Sequence, residues 1–290
     1  MLHQVIKQFG LEIDSLTEVE DSHSSTVYKC TLRKGQNVFL KIPYTKLKFQ
    51  RELEAYEILK GRVSIPEMLD YWSGDDECPG AFLLSELKGK PLTVEDSPTV
   101  AFQVGVLQAQ MHTIGPPTNR KLSGIQNEFT NWSDFVEQQF YSFAEDVKNV
   151  LDPQLYTQAI EKFEQMKHKL PSPDGPSFVH MDFRPANIIV DGEQVSGMID
   201  FESVRFGSTE IDFTKLYRDF LSFDTALYKA FHEGYNSIRP LINLETVLPF
   251  YQFIDAFNSI GWCKRRGIEK HAVFLEENLA RLKEFIQQQN

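Results

Sequence analysis

The chain has 290 residues, 41% of them hydrophobic and 24% charged, ordinary values for a globular protein with ample core in one large domain or two packed lobes. Lys and Arg number 30 against 41 Asp and Glu, a formal net charge of −11, so there is no basic excess to replace phosphate counterions and nucleic acid is excluded as the main partner, whereas a small cationic ligand suits the balance. The cysteines Cys30, Cys78 and Cys263 form neither a zinc spacing nor a disulfide framework, the N-terminus is too polar for a signal peptide, and no apolar stretch approaches a membrane span; the expected compartment is the cytoplasm, with no membrane partner.

In chain order, Thr26–Leu32 alternates like a strand, residues 33–37 read as a turn, and Val38–Ile42 reads as the returning strand. A helix over 48–60 places Phe49, Leu53, Tyr56 and Leu59 roughly on one face, with Gly61 and Pro66 bracketing its end. Residues 81–87 form another buried-looking strand. Beyond Gly89-Lys90-Pro91, apolar residues recur at helical spacing near 97–113, 132–149, 153–169, 210–235, 244–265 and 270–288, interrupted only by hairpin-like runs around 177–200. The expected organisation is α+β: a β-rich first lobe over 1–86, a hinge near residue 86, and a larger helical lobe over 87–290.

The densest chemistry lies in His180-Met181-Asp182-Phe183-Arg184-Pro185-Ala186-Asn187, followed by an apolar run, an Asp191-Gly192 turn, and Ile199-Asp200-Phe201-Glu202. An acid, an Asn five residues on, and a second acid across a hairpin meet the needs of metal-assisted phosphoryl transfer. Asp182 can take a proton from an attacking hydroxyl, and Asn187 and Asp200 offer hard oxygen ligands to Mg²⁺. Each piece alone is an ordinary turn or loop; the joint order matches the protein-kinase pattern H-R-D-L-x-x-x-N followed by D-F-G. In the first lobe, Lys41 sits in a strand as the kinase V-A-I-K lysine does, and Glu52 on the next helix is its expected counter-charge. The segment 21–28 holds no glycine, so the Gly-rich phosphate loop is absent; backbone N–H groups and the hydroxyls of Ser24, Ser25 and Thr26 are its expected substitutes.

Taken together, these stations resemble the aminoglycoside phosphotransferase and choline kinase-like family over most of the chain: Ser24–Tyr28, Lys41, Arg51-Glu52, Ile65-Pro66, Leu84-Ser85-Glu86, Met111-His112, the block 180–187, and Ile199-Asp200. The resemblance implies a two-lobed protein kinase-like fold using ATP, or GTP, with Mg²⁺. It implies that the backbone around Ser85 and Leu87 meets the nucleotide base, and that Asp212 is a structural anchor. By the same analogy Arg184 touches the transferred phosphoryl, or else pairs with nearby acids. Two departures stand out: Met181 occupies a place where the family usually has glycine, and Asp200-Phe201-Glu202 replaces D-F-G with no A-P-E after it, which disfavours a protein kinase.

The family's acceptors are small hydroxyl compounds, many of them amines, so an antibiotic such as an aminoglycoside is the leading expectation. A metabolic kinase for an amino alcohol, homoserine or sugar is the alternative, and a catalytically idle binding or structural protein is the third. An acceptor site between the catalytic loop and the C-terminal helices would draw on Glu202, Asp219, Asp224 or Asp255. Asp255 stands out as a lone carboxylate in an otherwise uncharged helical run, to be explained by substrate binding or by a salt bridge to a cation such as Arg265 or Arg266.

Overall fold

The computed structural model describes residues 1–19 and 25–287; Ser24 lies outside them. The chain opens with helix α1 (Leu2–Gln8) and strand β1 (Ile13–Glu18), two elements that periodicity does not mark. The expected hairpin follows as β2 (Ser25–Leu32) and β3 (Asn37–Pro43), with Gly35 at φ +79° in the turn, a left-handed position where a Cβ would be penalised. Helix α2 (Lys46–Leu59) begins where Thr45 Oγ1 accepts from the Lys48 amide at 3.3 Å. Strands β4 (Met68–Trp72) and β5 (Ala81–Ser85) complete an antiparallel sheet of order β1-β2-β3-β5-β4. β3 is the central strand, so Lys41 has neighbours on both sides, Val27 on β2 and Phe82 on β5.

Helix α2 departs from the expected one-sided amphipathic pattern, because both lobes cover it. Phe49 stacks on Phe82 of the sheet at 4.8 Å, while Tyr56 meets Phe201 of the second lobe edge-on at 5.4 Å. Arg51, Glu52 and Glu54 are consequently buried along with the apolar positions.

The second lobe contains β6 (Lys90–Pro91), α3 (Pro98–His112), α4 (Trp132–Ser142), α5 (Ala144–Lys148), α6 (Pro153–Lys167), β7 (Ser177–Val179), β8 (Ile188–Asp191), β9 (Gln194–Met198), β10 (Arg205–Gly207), α7 (Glu210–Leu216), α8 (Thr225–Asn236), α9 (Leu244–Arg266) and α10 (Ala272–Gln287). Two expected helices are each split. The span 132–149 breaks at Phe143, and 210–235 widens into a π turn over Tyr217–Leu221 before Asp224 caps a new helix by accepting from the Ala226 amide at 2.7 Å. Apolar spacing runs through both breaks, which is why periodicity alone does not show them. The core is rich in stacked phenylalanines, with Phe140 lying 3.9 Å from Phe163 and 4.1 Å from Phe257. Helices α3 and α8 meet backbone to backbone. A Cβ on Gly105 would fall 2.2 Å from the Phe231 carbonyl, and one on Gly234 would fall 2.0 Å from that of Phe102. Among the described residues no helix is long and apolar enough to cross a membrane.

Candidate active site

A cleft of about 940 Å³ lies between the sheet and the helical lobe. Its floor carries the 180–187 block and Asp200; its walls carry Lys41 and Glu52 on one side, and Lys215, Arg218 and Asp255 on the other.

The loop at 180–187 is held from below by Asp212 in the first turn of α7. The amides of His180 and Met181 donate to its two carboxylate oxygens at 2.6 and 2.7 Å, and the His112 ring nitrogen Nε2 stands 3.2 Å away. Burial pushes the His112 imidazole below its ordinary range despite Asp212. A neutral ring then donates from Nε2 to Asp212 and accepts at Nδ1 from the Tyr235 hydroxyl, 2.9 Å away. This anchor lets the chain take a sharp turn at Met181, whose φ of +69° is the left-handed region that glycine fills at no cost. The Met181 amide bond to Asp212 holds a non-glycine residue there. His180 ties the loop to the second acidic segment by donating from Nε2 to the Ile199 carbonyl at 3.0 Å.

Two donors and a neighbouring guanidinium converge on Asp182. Lys215 Nζ reaches Oδ1 at 2.6 Å, Asn187 Nδ2 reaches Oδ2 at 3.2 Å, and Arg184 Nε lies 3.5 Å from the same oxygen. Burial opposes ionisation of Asp182, but Lys215 and Arg184 outweigh it and hold the carboxyl well below the usual carboxylate range. Lys215 was not foreseen from the sequence. The available signal was its place three residues after Asp212, which puts both side chains on one face of α7.

Across the floor, Lys41 Nζ bridges Glu52 Oε1 at 2.8 Å and Asp200 Oδ1 at 2.7 Å. Burial alone would lower the Lys41 ammonium; Asp200, Glu52 and Glu202 instead hold it well above its ordinary range. Burial pushes the Glu52 carboxyl up to about 7, against the pull of Lys41. One cation serves two carboxylates, and the drier of them is the less well stabilised. Asp200, at φ +72°, is held below its usual range by Lys41 in spite of its own burial.

Asn187 donates Nδ2 to the Asp182 carbonyl at 2.9 Å as well as to its side chain, which leaves Oδ1 as the atom available to a cation. With an Asp200 oxygen it makes a small, hard donor set. That set fits Mg²⁺, which takes one or two protein oxygens and completes its shell with phosphates and water. Among the described residues no cluster of three or more His, Cys, Asp or Glu offers a closed metal cage.

The remaining expected residues are placed as follows. Ser25 and Leu87 line the cleft. Ser85 also lines it, and its hydroxyl accepts from the Glu67 amide at 2.8 Å. Glu202 also lines the cleft, on the α2 side, where it is largely buried with its carboxylate 3.3 Å from Lys48. Asp255 does reach the cleft, and its cation is Arg218 in place of Arg265 or Arg266. Arg265 instead binds Asp146 at 2.7 Å, and Arg218 also forks onto both oxygens of Asp219 at 2.6 Å. Asp224, the cap of α8, is not among the cleft residues.

A two-lobed kinase-like fold, with a lysine–carboxylate pair facing an Asp–Asn–Asp floor, defines a phosphotransferase with an alcohol group as acceptor. The chain belongs to the phosphotransferase enzyme family (APH), whose model matches residues 15–249. It is similar to a homoserine kinase of Neisseria meningitidis serogroup B, with 27% identity over 242 residues, covering 79% of this chain and 76% of that one. In fold it is similar to APH(2")-IIia in a GDP and kanamycin complex, with a TM-score of 0.77 at 16% identity over 98% of both chains. It also resembles the macrolide 2'-phosphotransferase MphH from Brachybacterium faecium, with a TM-score of 0.66 at 15% identity, covering 100% of this chain and 98% of that one.

Proposed function

We propose that the enzyme transfers the γ-phosphoryl of ATP, with GTP as the alternative donor, to a hydroxyl of a small amphoteric molecule. Residues 1–86 then form the nucleotide-binding lobe and 87–290 the catalytic and acceptor-binding lobe. The observation that carries the reading is the geometry around Asp182 on the cleft floor, a carboxylate kept ionised by Lys215 and Arg184 and oriented by Lys215 and Asn187, beside the Lys41–Asp200 pair.

Phe39 shares a face of β3 with Lys41 and lines the cleft together with Ile189, so Phe39 and Ile189 flank a planar base while Lys41 meets the phosphates. The side chains of Asn187 and Asp200 hold Mg²⁺, which neutralises phosphate charge when bound. Asp182 accepts the hydroxyl hydrogen and orients its oxygen for in-line attack. Ionisation far below neutral makes it a weak base, so positioning is its larger contribution and the proton moves late. Arg184 offers positive charge where negative charge accumulates on the transferred group.

For the acceptor, the pairing of charges favours a molecule such as homoserine over a polycation such as an aminoglycoside. Asp182 and Asp255 in the acceptor half are each matched internally, by Lys215 and Arg218, and Arg184 adds a further cation. With Asp219 also bound by Arg218, the three cations are balanced by three carboxylates, so this half offers no net negative charge to hold a polycation, whereas a carboxylate and an ammonium on one small molecule can exchange partners with both pairs. The test is an ADP-release screen with Mg·ATP over homoserine, its decarboxylated and deaminated analogues, amino alcohols, sugars, macrolides and aminoglycosides. Turnover of homoserine well above both truncated analogues supports the reading. Preference for an aminoglycoside overturns the acceptor assignment, and no transfer to any hydroxyl with Mg·ATP or Mg·GTP overturns the reading as a whole.

A further inference from the structure

Helix α2 carries a second set of charged residues that the proposed chemistry leaves unused. Lys48, Arg51, Glu54 and Glu57 recur every third residue, along one slanting ridge of the helix. All four reach into the second lobe. Lys48 meets Glu202 at 3.3 Å, and Glu57 meets Arg120 at 2.5 Å. Arg51 donates from Nε to the Gly124 carbonyl at 3.1 Å and from Nη1 to the Glu202 carbonyl at 2.9 Å. Glu54 is wrapped by a loop: Oε1 accepts from the amide and hydroxyl of Ser123 at 2.8 and 3.0 Å, and Oε2 from the amides of Gly124 and Ile125 at 3.0 and 2.8 Å. The loop lies so close that a Cβ on Gly124 would sit 2.4 Å from the Arg51 amide nitrogen.

Arg51 also closes a ring. It directly precedes Glu52, which holds Lys41; Lys41 holds Asp200; and Glu202, two residues beyond Asp200, returns its carbonyl to Arg51. Apolar packing would bury the helix equally well but would let it slide or rotate. Guanidinium and carboxylate groups matched to backbone atoms fix its register, a property of buried polar contacts that is separate from net stability.

We propose that Arg51 and Glu54 are positioning residues for phosphoryl transfer, which hold α2 against the second lobe so that Lys41, Glu52 and Asp200 are assembled before nucleotide arrives. The proposal rests on the nucleotide-dependent reading above. Lobe movement on nucleotide binding then belongs to the outer strands, with α2 moving as part of the helical lobe.

The test combines amide hydrogen exchange of α2, with and without a non-hydrolysable ATP analogue, with steady-state kinetics in nucleotide. The variants are Arg51→Met, Arg51→Lys and Glu54→Gln; the last two keep side-chain size, so they report even if Arg51→Met does not fold. In the wild type, α2 should be protected without nucleotide and gain little from it. In Glu54→Gln and Arg51→Met, α2 should exchange about tenfold faster without nucleotide and recover when nucleotide is bound. If the assembled fraction falls to about one tenth, KM for nucleotide rises about tenfold while kcat at saturation stays within about threefold, and Arg51→Lys lies between. A merely structural role would lower Tm without this split. Wild-type α2 that exchanges freely until nucleotide binds overturns the proposal, as do variants with lowered Tm and unchanged KM. The exchange measurement without nucleotide decides the pinning by itself; a wild type that binds no nucleotide overturns the functional reading, and the positioning role with it.

Discussion

Replacing Asp182 by asparagine isolates what the carboxylate does, because the shape is kept and only charge and one acceptor oxygen are lost. The wild-type side chain accepts from Lys215 on one oxygen and from Asn187 on the other, with the Arg184 guanidinium 3.5 Å from the second oxygen as an ion-pair neighbour. An amide has one oxygen, so once that oxygen faces the Lys215 ammonium its NH₂ is turned toward the Asn187 NH₂ and the Arg184 guanidinium. Loss of the carboxylate that orients the attacking hydroxyl and accepts its proton reduces turnover by about 10²–10⁴, or about 3–5 kcal/mol on the transition state. The lost charge-assisted bond removes about 1–3 kcal/mol of fold stability, so turnover is to be measured below the lowered melting temperature. Nucleotide affinity should change by no more than about threefold, since Asp182 acts on the acceptor. The assay is ADP release with the best acceptor, alongside nucleotide-induced thermal shift in both proteins. Turnover within threefold of wild type, with a normal nucleotide shift, refutes the role. The same geometry carries a pH consequence. A carboxyl held below its ordinary range stays charged as pH falls past about 4, so Asp182 sets no acid limb near neutrality. Its contribution to stability is present above about pH 4 and is lost as pH falls through its lower folded-state value.

Asp200→Asn and Asn187→Ala should each raise the Mg²⁺ concentration needed for half-maximal activity, checked by metal titration at fixed nucleotide; unchanged titrations in both remove them as ligands. Lys215→Met should lower kcat by about tenfold, with nucleotide KM unchanged and partial recovery in Lys215→Arg, because the lysine acts by aiming Asp182; a change confined to nucleotide KM contradicts this. Burial pushes the Glu210 carboxyl up to about 7, so the fold prefers its neutral form and stability falls as pH rises from about 4.3 through 7. Tm measured between pH 5 and 8 should therefore decline less in Glu210→Gln than in the wild type, and parallel slopes refute the assignment. Gly234→Ala should destabilise by about 1–3 kcal/mol or more in denaturant unfolding, since its Cβ would meet the Phe102 carbonyl at 2.0 Å; a neutral result means that α3 and α8 separate easily.

Much of this protein is legible in short windows of its chain. The β2–β3 hairpin follows from alternation and a glycine turn, and the helical spans of the second lobe follow from apolar spacing, because both signals repeat within one element. The block 180–187 and Asp200 are also local: a tight loop and a hairpin fix their separation whatever surrounds them. Other features depend on residues brought together from distant parts of the chain. Lys215 meets Asp182 from 33 positions away, and Arg218 meets Asp255 from 37, so no periodicity announces either pair. The breaks at Phe143 and ahead of Asp224 interrupt no apolar pattern. The charges of α2 show the division most sharply. Glu52, Glu54 and Glu57 look alike as letters on a helix. Only the tertiary structure gives Glu52 to Lys41, wraps a loop around Glu54, and sets Glu57 against Arg120. Element type is determined by backbone preference and the burial of one face, which neighbouring residues settle among themselves. The partner of a charge is determined by which surface the fold lays against it.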